Sequence, residues 1–160
     1  MTIDILVADY SNPQHAKDVG FLLNEYAKDP MGAGKPLDTG IQEKVASELA
    51  KQAGAFSVLA YVDGKPAALT NCLQSFSTFK CKPLINIHDL AVVKEFRGMG
   101  LSTRMLEKVE EVARERDCCK LTLEVLGKNI PAKKSYQKFG FKAYELDPIA
   151  GVAEFLEKEL

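Results

Sequence analysis

Residues 83–106 read PLINIHDLAVVKEFRGMGLSTRML, and this stretch decides the fold. Its first half predicts a strand because apolar residues dominate it, namely Ile85, Ile87, Leu90, Ala91 and Val92. A basic turn containing Gly98 and Gly100 follows and opens directly into a helical pattern. Backbone amides freed by the glycines and the positive end of the helix dipole would face the same point. The stretch therefore predicts an anion-binding turn between a strand and a helix.

This turn fits neither of two common phosphate-binding motifs. The dinucleotide-binding pattern requires a third glycine where this chain has Thr103. The P-loop requires a Gly-Lys-Ser/Thr ending, which does not follow the glycines here. The sequence therefore predicts a pyrophosphate cradle of another kind.

Length and composition predict one ordinary globular domain over residues 1–160, with 46% apolar and 27% charged residues. A formal net charge of −1 argues against nucleic acid or an anionic membrane surface as the main partner. No stretch approaches the roughly 20 apolar residues of a membrane span and no secretion signal is recognisable, so we expect a cytoplasmic protein. The four cysteines have no metal-ligand spacing, so we expect structural thiols and no metal site.

The patterns before this stretch predict a strand, two helices and a hairpin. In chain order they are a strand at 3–7, a helix from 13 to about 29, a helix from about 39 to 52, and hairpin strands at 56–62 and 66–79. The loop at 30–36 is rich in glycine, so we expect it to be mobile. Thr39 with Gln42 forms a capping-box pattern, and His15 is interpreted as a surface residue.

The patterns after this stretch predict a parallel strand, a short helix and a last strand. A strand that returns through a helical crossover pairs parallel with the strand before the helix. The segments are a strand at 121–126, a helix from Asn129 through Phe139 that ends at Gly140, and a strand at 141–146. The tail at 152–160 fits a helix and a strand equally well.

Two motifs carry a resemblance to a known family. The turn resembles the acetyl-coenzyme A cradle of the GCN5-related N-acetyltransferase (GNAT) superfamily, whose pattern is Arg/Gln-x-x-Gly-x-Gly/Ala. Arg97 and Gly100 match this pattern, and Ser102 replaces its last glycine or alanine. The block NIPAKKSYQKFGF at 129–141 is similar to the family's Asn-x-x-Ala-x-x-x-Tyr-x-x-x-Gly-Phe block. Because both motifs occur in the family's order, the chain is identified as a member.

The resemblance implies both a fold and an activity. The fold is α/β, with a twisted, mixed, mostly antiparallel sheet, a central parallel pair and helices on both faces. The activity is transfer of an acetyl group from acetyl-CoA, a co-substrate, to a primary amine of a small molecule or peptide N-terminus by direct attack in a ternary complex. The alternative is an acetyl-CoA-binding sensor or interaction module without turnover. The resemblance is compatible with a homodimer.

The resemblance also implies which residues meet the cofactor. The backbone of the strand's last residues would pair with the pantetheine arm, where the fourth and fifth strands splay apart. Arg97 and the glycine turn would meet the phosphates. The full set is Leu90, Ala91, Val92, Arg97, Gly98, Met99, Gly100, Leu101, Ser102, Asn129 and Tyr136. Asn129 is equally well read as a helix cap.

The chemistry of amine acetylation points to a base and an acid. An acceptor with a pKa of about 10.4 is neutral in roughly one molecule in 10³ at pH 7, so a proton acceptor is needed. His88 suits this task, and Asp89 is its rival; the two face apart on a regular strand unless the family's β-bulge intervenes. Tyr136 matches the family's acid. Carboxylates expected to attract a cationic acceptor are Glu25, Asp29 and Asp38.

Overall fold

The computed structural model describes residues 1–144 and 147–160. It contains two compact units, Met1–Leu123 and Glu124–Leu160, which are described in turn. Within the described residues, no helix combines the length and the apolar character that crossing a membrane requires.

The first unit is built on a five-stranded sheet with the order β1-β2-β3-β4-β5. The strands are β1 (Ile3–Val7), β2 (Phe56–Val62), β3 (Lys65–Ser77), β4 (Lys82–Val92) and β5 (Leu121–Leu123). Neighbours from β1 to β4 are antiparallel, and β4 pairs with β5 in parallel. Asp63 (φ 49°) and Gly64 (φ 78°) make the β2–β3 turn that the Asp-Gly signal predicts. This mixed, mostly antiparallel sheet with a parallel pair confirms the predicted fold class. The pair was predicted at the centre of the sheet, however, and among the described strands it lies at one edge, because β5 is the last strand in the order.

Helices cover both faces of this sheet. They are α1 (Pro13–Lys28), α2 (Thr39–Leu49) and α3 (Leu101–Glu115). On the face of α1 and α2 lies a buried cluster of Val19, Leu22, Ala46, Leu59 and Leu69. Because successive strand residues point to opposite faces of the sheet, a second set of strand side chains lies on the opposite face, where α3 packs. The buried residues of α3 form one stripe, namely Leu101, Met105, Leu106, Val109, Val112 and Ala113.

The start of α1 and its crossing with α2 follow from local chemistry. The side chain of Asn12 accepts hydrogen bonds from the amides of Gln14 (2.9 Å) and His15 (3.3 Å). A Cβ on Gly20 would lie 2.1 Å from the carbonyl oxygen of Gln42, so only glycine allows α2 to pass this close. His15 is partly exposed, in agreement with its interpretation as a surface residue, and its Nδ1 accepts the amide of Asp9 at 3.0 Å.

The capping box predicted for α2 is wrong. Thr39 is already the first helical residue, and Asp38 occupies the cap position without a side-chain capping bond. Gln42 donates its side-chain amide to the carbonyl of Leu37 at 2.8 Å and so fixes the preceding loop. The helix ends at Leu49, earlier than the predicted 52, and β3 ends at 77 rather than 79.

The second unit contains one helix, α4 (Ile130–Phe139), among its described residues. As predicted, the side chain of Asn129 caps it, accepting from the amide of Ala132 at 3.4 Å, and Gly140 ends it with φ 117°. At the C-terminal end of this helix, the amide of Phe141 also donates to the carbonyl of Tyr136 at 2.9 Å.

Three strand or tail predictions near the C-terminus need correction. The strand at 121–126 stops at 123, because its ladder with β4 ends there and 124–126 are exposed. The predicted strand at 141–146 is wrong for 141–144, which are mostly exposed and form no strand; its last two positions, 145 and 146, lie outside the described residues. The tail at 152–160 is neither helix nor strand, and all of its residues are exposed, so no burial stabilises either form.

Candidate active site

A β-bulge in β4 turns His88 and Asp89 toward the same face of the sheet. In the register with β3, Asn71 pairs with Asp89, but its neighbour Cys72 pairs with Ile87. His88 is therefore the extra residue that interrupts the alternation of side chains. The bulge implied by the resemblance is present, and the side chains of His88 and Asp89 line one cleft.

This cleft has a volume of about 660 Å³, and it is lined by residues of α1, the loop after it, α2 and its C-terminal end, β3 and β4. Its apolar lining consists of Leu23, Ala27, Ala33, Leu37, Val45, Leu49 and Leu73. Its polar side chains are Tyr26, Glu48, Gln52, Asn71, His88 and Asp89. No lysine or arginine is among the residues that line it in the described part of the chain, so any charge on its wall is predominantly negative.

The loop at 30–37 folds back onto the end of α1 to complete the cleft. The amides of Ala33 and Lys35 both donate to the carbonyl of Ala27, at 3.0 and 3.1 Å. The side chain of Asn24 holds the far end of the loop by accepting the amide of Leu37 at 2.9 Å. These bonds define the loop's path, and its mobility stays a prediction.

A directional chain of hydrogen bonds holds the carboxylate of Asp89. Ser57 donates its one hydroxyl hydrogen to Oδ1 of Asn71 (2.6 Å), so Tyr10 must be the donor in its 2.7 Å bond to Ser57. With Oδ1 occupied, Asn71 presents its Nδ2 to Oδ2 of Asp89 at 3.0 Å. Ser57 and Asn71 are buried. The amide of Asn71 therefore fixes Asp89 as a hydrogen-bond acceptor at the cleft.

The two other polar groups beside Asp89 are available to a ligand. His88 is exposed, and its imidazole makes no hydrogen bond within residues 1–144 and 147–160. Burial raises the pKa of the Tyr26 hydroxyl, and the charges of Asp89 and Asp29 raise this pKa further. Tyr26 therefore presents a protonated phenol to the cleft at neutral pH.

The glycine turn (residues 97–102) is an open cradle of amide donors. Gly98 (φ 81°) and Gly100 (φ 75°) adopt left-handed conformations, and nothing lies within 4 Å of where their side chains would point. In the described part of the chain, the amides of residues 98–103 have no acceptor, as the first turn of α3 leaves them unpaired. An array of free amides at a helix N-terminus fits a pyrophosphate.

Arg97 stands beside this cradle and is held from two sides. Its Nε donates to the carbonyl of Val92 at 3.0 Å, and its Nη2 donates to Oδ2 of Asp29 at 2.8 Å. Asp29 also accepts the amide of Met31 with its other oxygen. The bond from Arg97 holds the pKa of Asp29 below its usual value, with the Met31 amide acting in the same direction.

The ladder between β4 and β5 ends before the strand edge predicted to receive the pantetheine arm. The parallel ladder between β4 and β5 ends at the pair Ile87–Leu123, while β4 continues to Val92. The predicted contact residues Leu90, Ala91 and Val92 therefore follow the last ladder pair, and the splaying of the two strands stays a prediction.

The two predicted site residues of the second unit lie on or next to α4. Asn129 serves as the helix cap, which realises one of its two predicted roles. Tyr136 is half-buried, and its ring lies 6.0 Å from that of Phe141 in an edge-on arrangement with an interplanar angle of 66°. The tyrosine is thus positioned within its own unit by an aromatic contact.

The carboxylates expected to attract an acceptor are not those at the cleft. Glu25 pairs with Lys28 at 2.7 Å and Asp29 pairs with Arg97; neither they nor Asp38 lines the cleft.

The sequence reading missed Tyr26, Glu48 and Asn71 as cleft residues. A signal existed for Asn71, because an asparagine within the apolar run AALTNCL must find a hydrogen-bond partner when buried. No such local signal marks the other two.

A bulged strand that leads into an amide-lined turn, set in a mixed sheet, is an arrangement suited to an α/β protein whose helix N-terminus receives a phosphate-bearing ligand. Residues 20–141 match the sequence profile of the Acetyltransferase (GNAT) family, and the chain belongs to this family.

Curated relatives agree with this assignment over part of their length. A thialysine N-epsilon-acetyltransferase of Bos taurus is 38% identical over 66 residues, which are 41% of this chain and 38% of the relative. An uncharacterized N-acetyltransferase of Archaeoglobus fulgidus is 35% identical over 80 residues, 49% of this chain and 54% of the relative. The chain therefore spans about half or less of the relatives it matches.

Solved structures agree over nearly the whole chain. An aminoglycoside N-acetyltransferase in complex with CoA superimposes with a TM-score of 0.76 at 16% identity, covering 99% of this chain and 96% of that one. At this identity the likeness concerns the fold.

Proposed function

We propose that this chain transfers the acetyl group of acetyl-CoA to the primary amine of a small molecule or a peptide N-terminus within a ternary complex. The observation that carries this proposal is the bulge in β4, which brings His88 and Asp89 together at a cleft without basic side chains among its described lining residues. The same strand leads into the glycine turn. Membership of an acetyltransferase family supports the reaction type.

We assign cofactor binding to the glycine turn and to the last residues of β4, which follow its ladder with β5. The free amides of residues 98–102 and the guanidinium of Arg97 would hold the pyrophosphate, and the backbone at 90–92 would pair with the pantetheine arm. Acetyl-CoA would supply the acetyl thioester. A structural neighbour in complex with CoA supports this choice of co-substrate. Asn129 and Tyr136 complete the proposed contacts.

We assign three roles in the transfer. Asp89, held by Asn71, would attract the acceptor as an ammonium ion, and His88 would take one proton from it so that the nitrogen lone pair is free to attack the thioester carbon. As the carbon–sulfur bond breaks, the hydroxyl of Tyr136 would donate its proton to the leaving sulfur. The nitrogen carries a positive charge once the carbon–nitrogen bond has formed, and it loses its second proton as the neutral amide is released. That proton, relayed through solvent, restores the hydroxyl of Tyr136, and the proton held by His88 returns to solvent.

The test is release of free thiol from acetyl-CoA, measured against a panel of amines that includes alkylamines, polyamines, aminoglycosides and peptides. Acceptor-dependent thiol release together with an acetylated product by mass spectrometry is the expected result. Saturable binding of acetyl-CoA without thiol release for any amine would instead identify a sensor or interaction module.

A further inference from the structure

We infer that the cleft accepts a primary amine with a single positive charge and an apolar body, in preference to polyamines and aminoglycosides. This inference rests on the proposed acetyl transfer and concerns which amine is used. Three properties of the lining carry it: the number of carboxylates that lack a cation, the extent of the apolar wall and the scarcity of other polar groups.

The lining carries two carboxylates, but one of them already has a cation. Oε1 of Glu48 lies 2.9 Å from Nζ of Lys51, an exposed lysine just beyond the end of α2. Asp89 receives only the neutral amide of Asn71 among the described residues. One carboxylate is therefore left for one ammonium group, and a second ammonium drawn into the cleft would lose its hydration without a partner.

The apolar wall of the cleft is extensive, and several of its residues pack against the hydrophobic core. Leu23, Val45 and Leu49 line the cleft and also pack against the buried cluster between α1, α2 and the sheet. Leu73 of β3 and Leu37 of the loop extend the same surface. Because these side chains are held by the core, the wall exists before a ligand arrives, and a hydrocarbon body gains by displacing water from it.

Few groups remain that would recognise a polyhydroxylated or polycationic acceptor. Besides the carboxylates, His88 and Asn71, the polar lining within residues 1–144 and 147–160 offers only the side chains of Tyr26 and Gln52. An aminocyclitol ring system carries more hydroxyl and ammonium groups than these can satisfy, and each one left unpaired lowers affinity.

The experiment compares kcat/KM for acetyl transfer across propylamine, butylamine, pentylamine and hexylamine, with 1,6-diaminohexane as a partner of matched length for the last. We expect kcat/KM to rise about fourfold for each added methylene that is buried against the wall. The diamine should be at least about tenfold worse than hexylamine, because its second ammonium has no carboxylate.

A flat alkylamine series would overturn the inference, as would a diamine, kanamycin or spermidine that outperforms hexylamine; acetyl transfer itself would stand in these cases. If no amine of any class is acetylated, the proposed function fails and the inference fails with it.

Two carboxylate variants provide a matched comparison. Glu25→Gln, at a lysine-paired carboxylate outside the cleft, should change kcat/KM for hexylamine by less than about twofold, whereas Asp89→Asn should lower it by about tenfold or more. Thermal melting of both proteins checks that the fold is kept. A selective loss of the diamine reaction, about tenfold, in a third variant, Glu48→Gln, would make Glu48 the site of a second ammonium and overturn the inference.

Discussion

Replacing Asp29 by asparagine should tighten the binding of CoA. In the free protein Nη2 of Arg97 lies 2.8 Å from Oδ2 of Asp29, and the two side chains are 54% and 24% exposed. An arginine that turns to a pyrophosphate must give up this ion pair. Pairs with this exposure contribute about 0.2–1 kcal/mol, so removing the competitor should lower the dissociation constant by about 1.4- to 5-fold. Asparagine keeps an oxygen for the amide of Met31, so the loop turn is retained.

Isothermal titration calorimetry at low ionic strength measures this change. The control is the same substitution in an Arg97→Gln background, where Asp29→Asn should have no more than the small effect of removing a distant negative charge. The pKa of Asp29 lies below its usual 3.8. The ion pair with Arg97 is therefore fully formed above pH 3.8, and it is lost only as the pH falls through the lowered pKa of the folded protein. The gain should therefore be constant from about pH 6 to 8. Unchanged or weaker CoA binding by Asp29→Asn would refute the idea that Asp29 competes with the pyrophosphate for Arg97.

Three further outcomes are expected. His88→Ala should lower turnover by roughly 10²-fold or more, and an unchanged rate would transfer the base role to an alternative group. Tyr136→Phe should lower turnover by roughly 10²-fold with little change in cofactor affinity, whereas an unchanged rate would remove the tyrosine from the reaction. Gly20→Ala should lower the free energy of unfolding in urea by about 1–3 kcal/mol, since its Cβ would meet the Gln42 carbonyl at 2.1 Å. Gly40→Ala on α2 has open space, so a similar loss there would show that the clash is not the cause.

Helix caps and turns, which depend on residues close together in the sequence, were predicted well. Asn12 caps α1, Asp63 and Gly64 close a hairpin, and Gly140 ends α4, each because one residue type satisfies a backbone requirement locally. The glycine turn belongs to the same group. Where the backbone has no such local requirement, as in the exposed tail at 152–160, alternation of apolar residues alone did not predict the structure.

The bulge could not be read from residue types alone. The run IHDLAV has the composition of an uninterrupted strand, and the extra residue is defined only by the register with β3. The partnership of Asn71 and Asp89 is equally non-local, because 18 residues separate them. A buried asparagine in the sequence indicates that a hydrogen-bond partner is required, but the register of the strands determines which residue that partner is. The family resemblance supplied the bulge that the residues themselves did not indicate.

Asp29 has two structural roles, an ion pair and a loop hydrogen bond, and an experiment must change one without the other. One of its oxygens holds the guanidinium of Arg97, beside the cradle, and the other holds the amide of Met31, in the loop that completes the acceptor cleft. An alanine here would disturb both sites at once, so a change in acetyl transfer would have two causes. Asparagine removes only the charge. A difference confined to cofactor affinity would then assign the ion pair to the cradle, whereas a parallel change in acceptor KM would show that the loop responds to Arg97 as well.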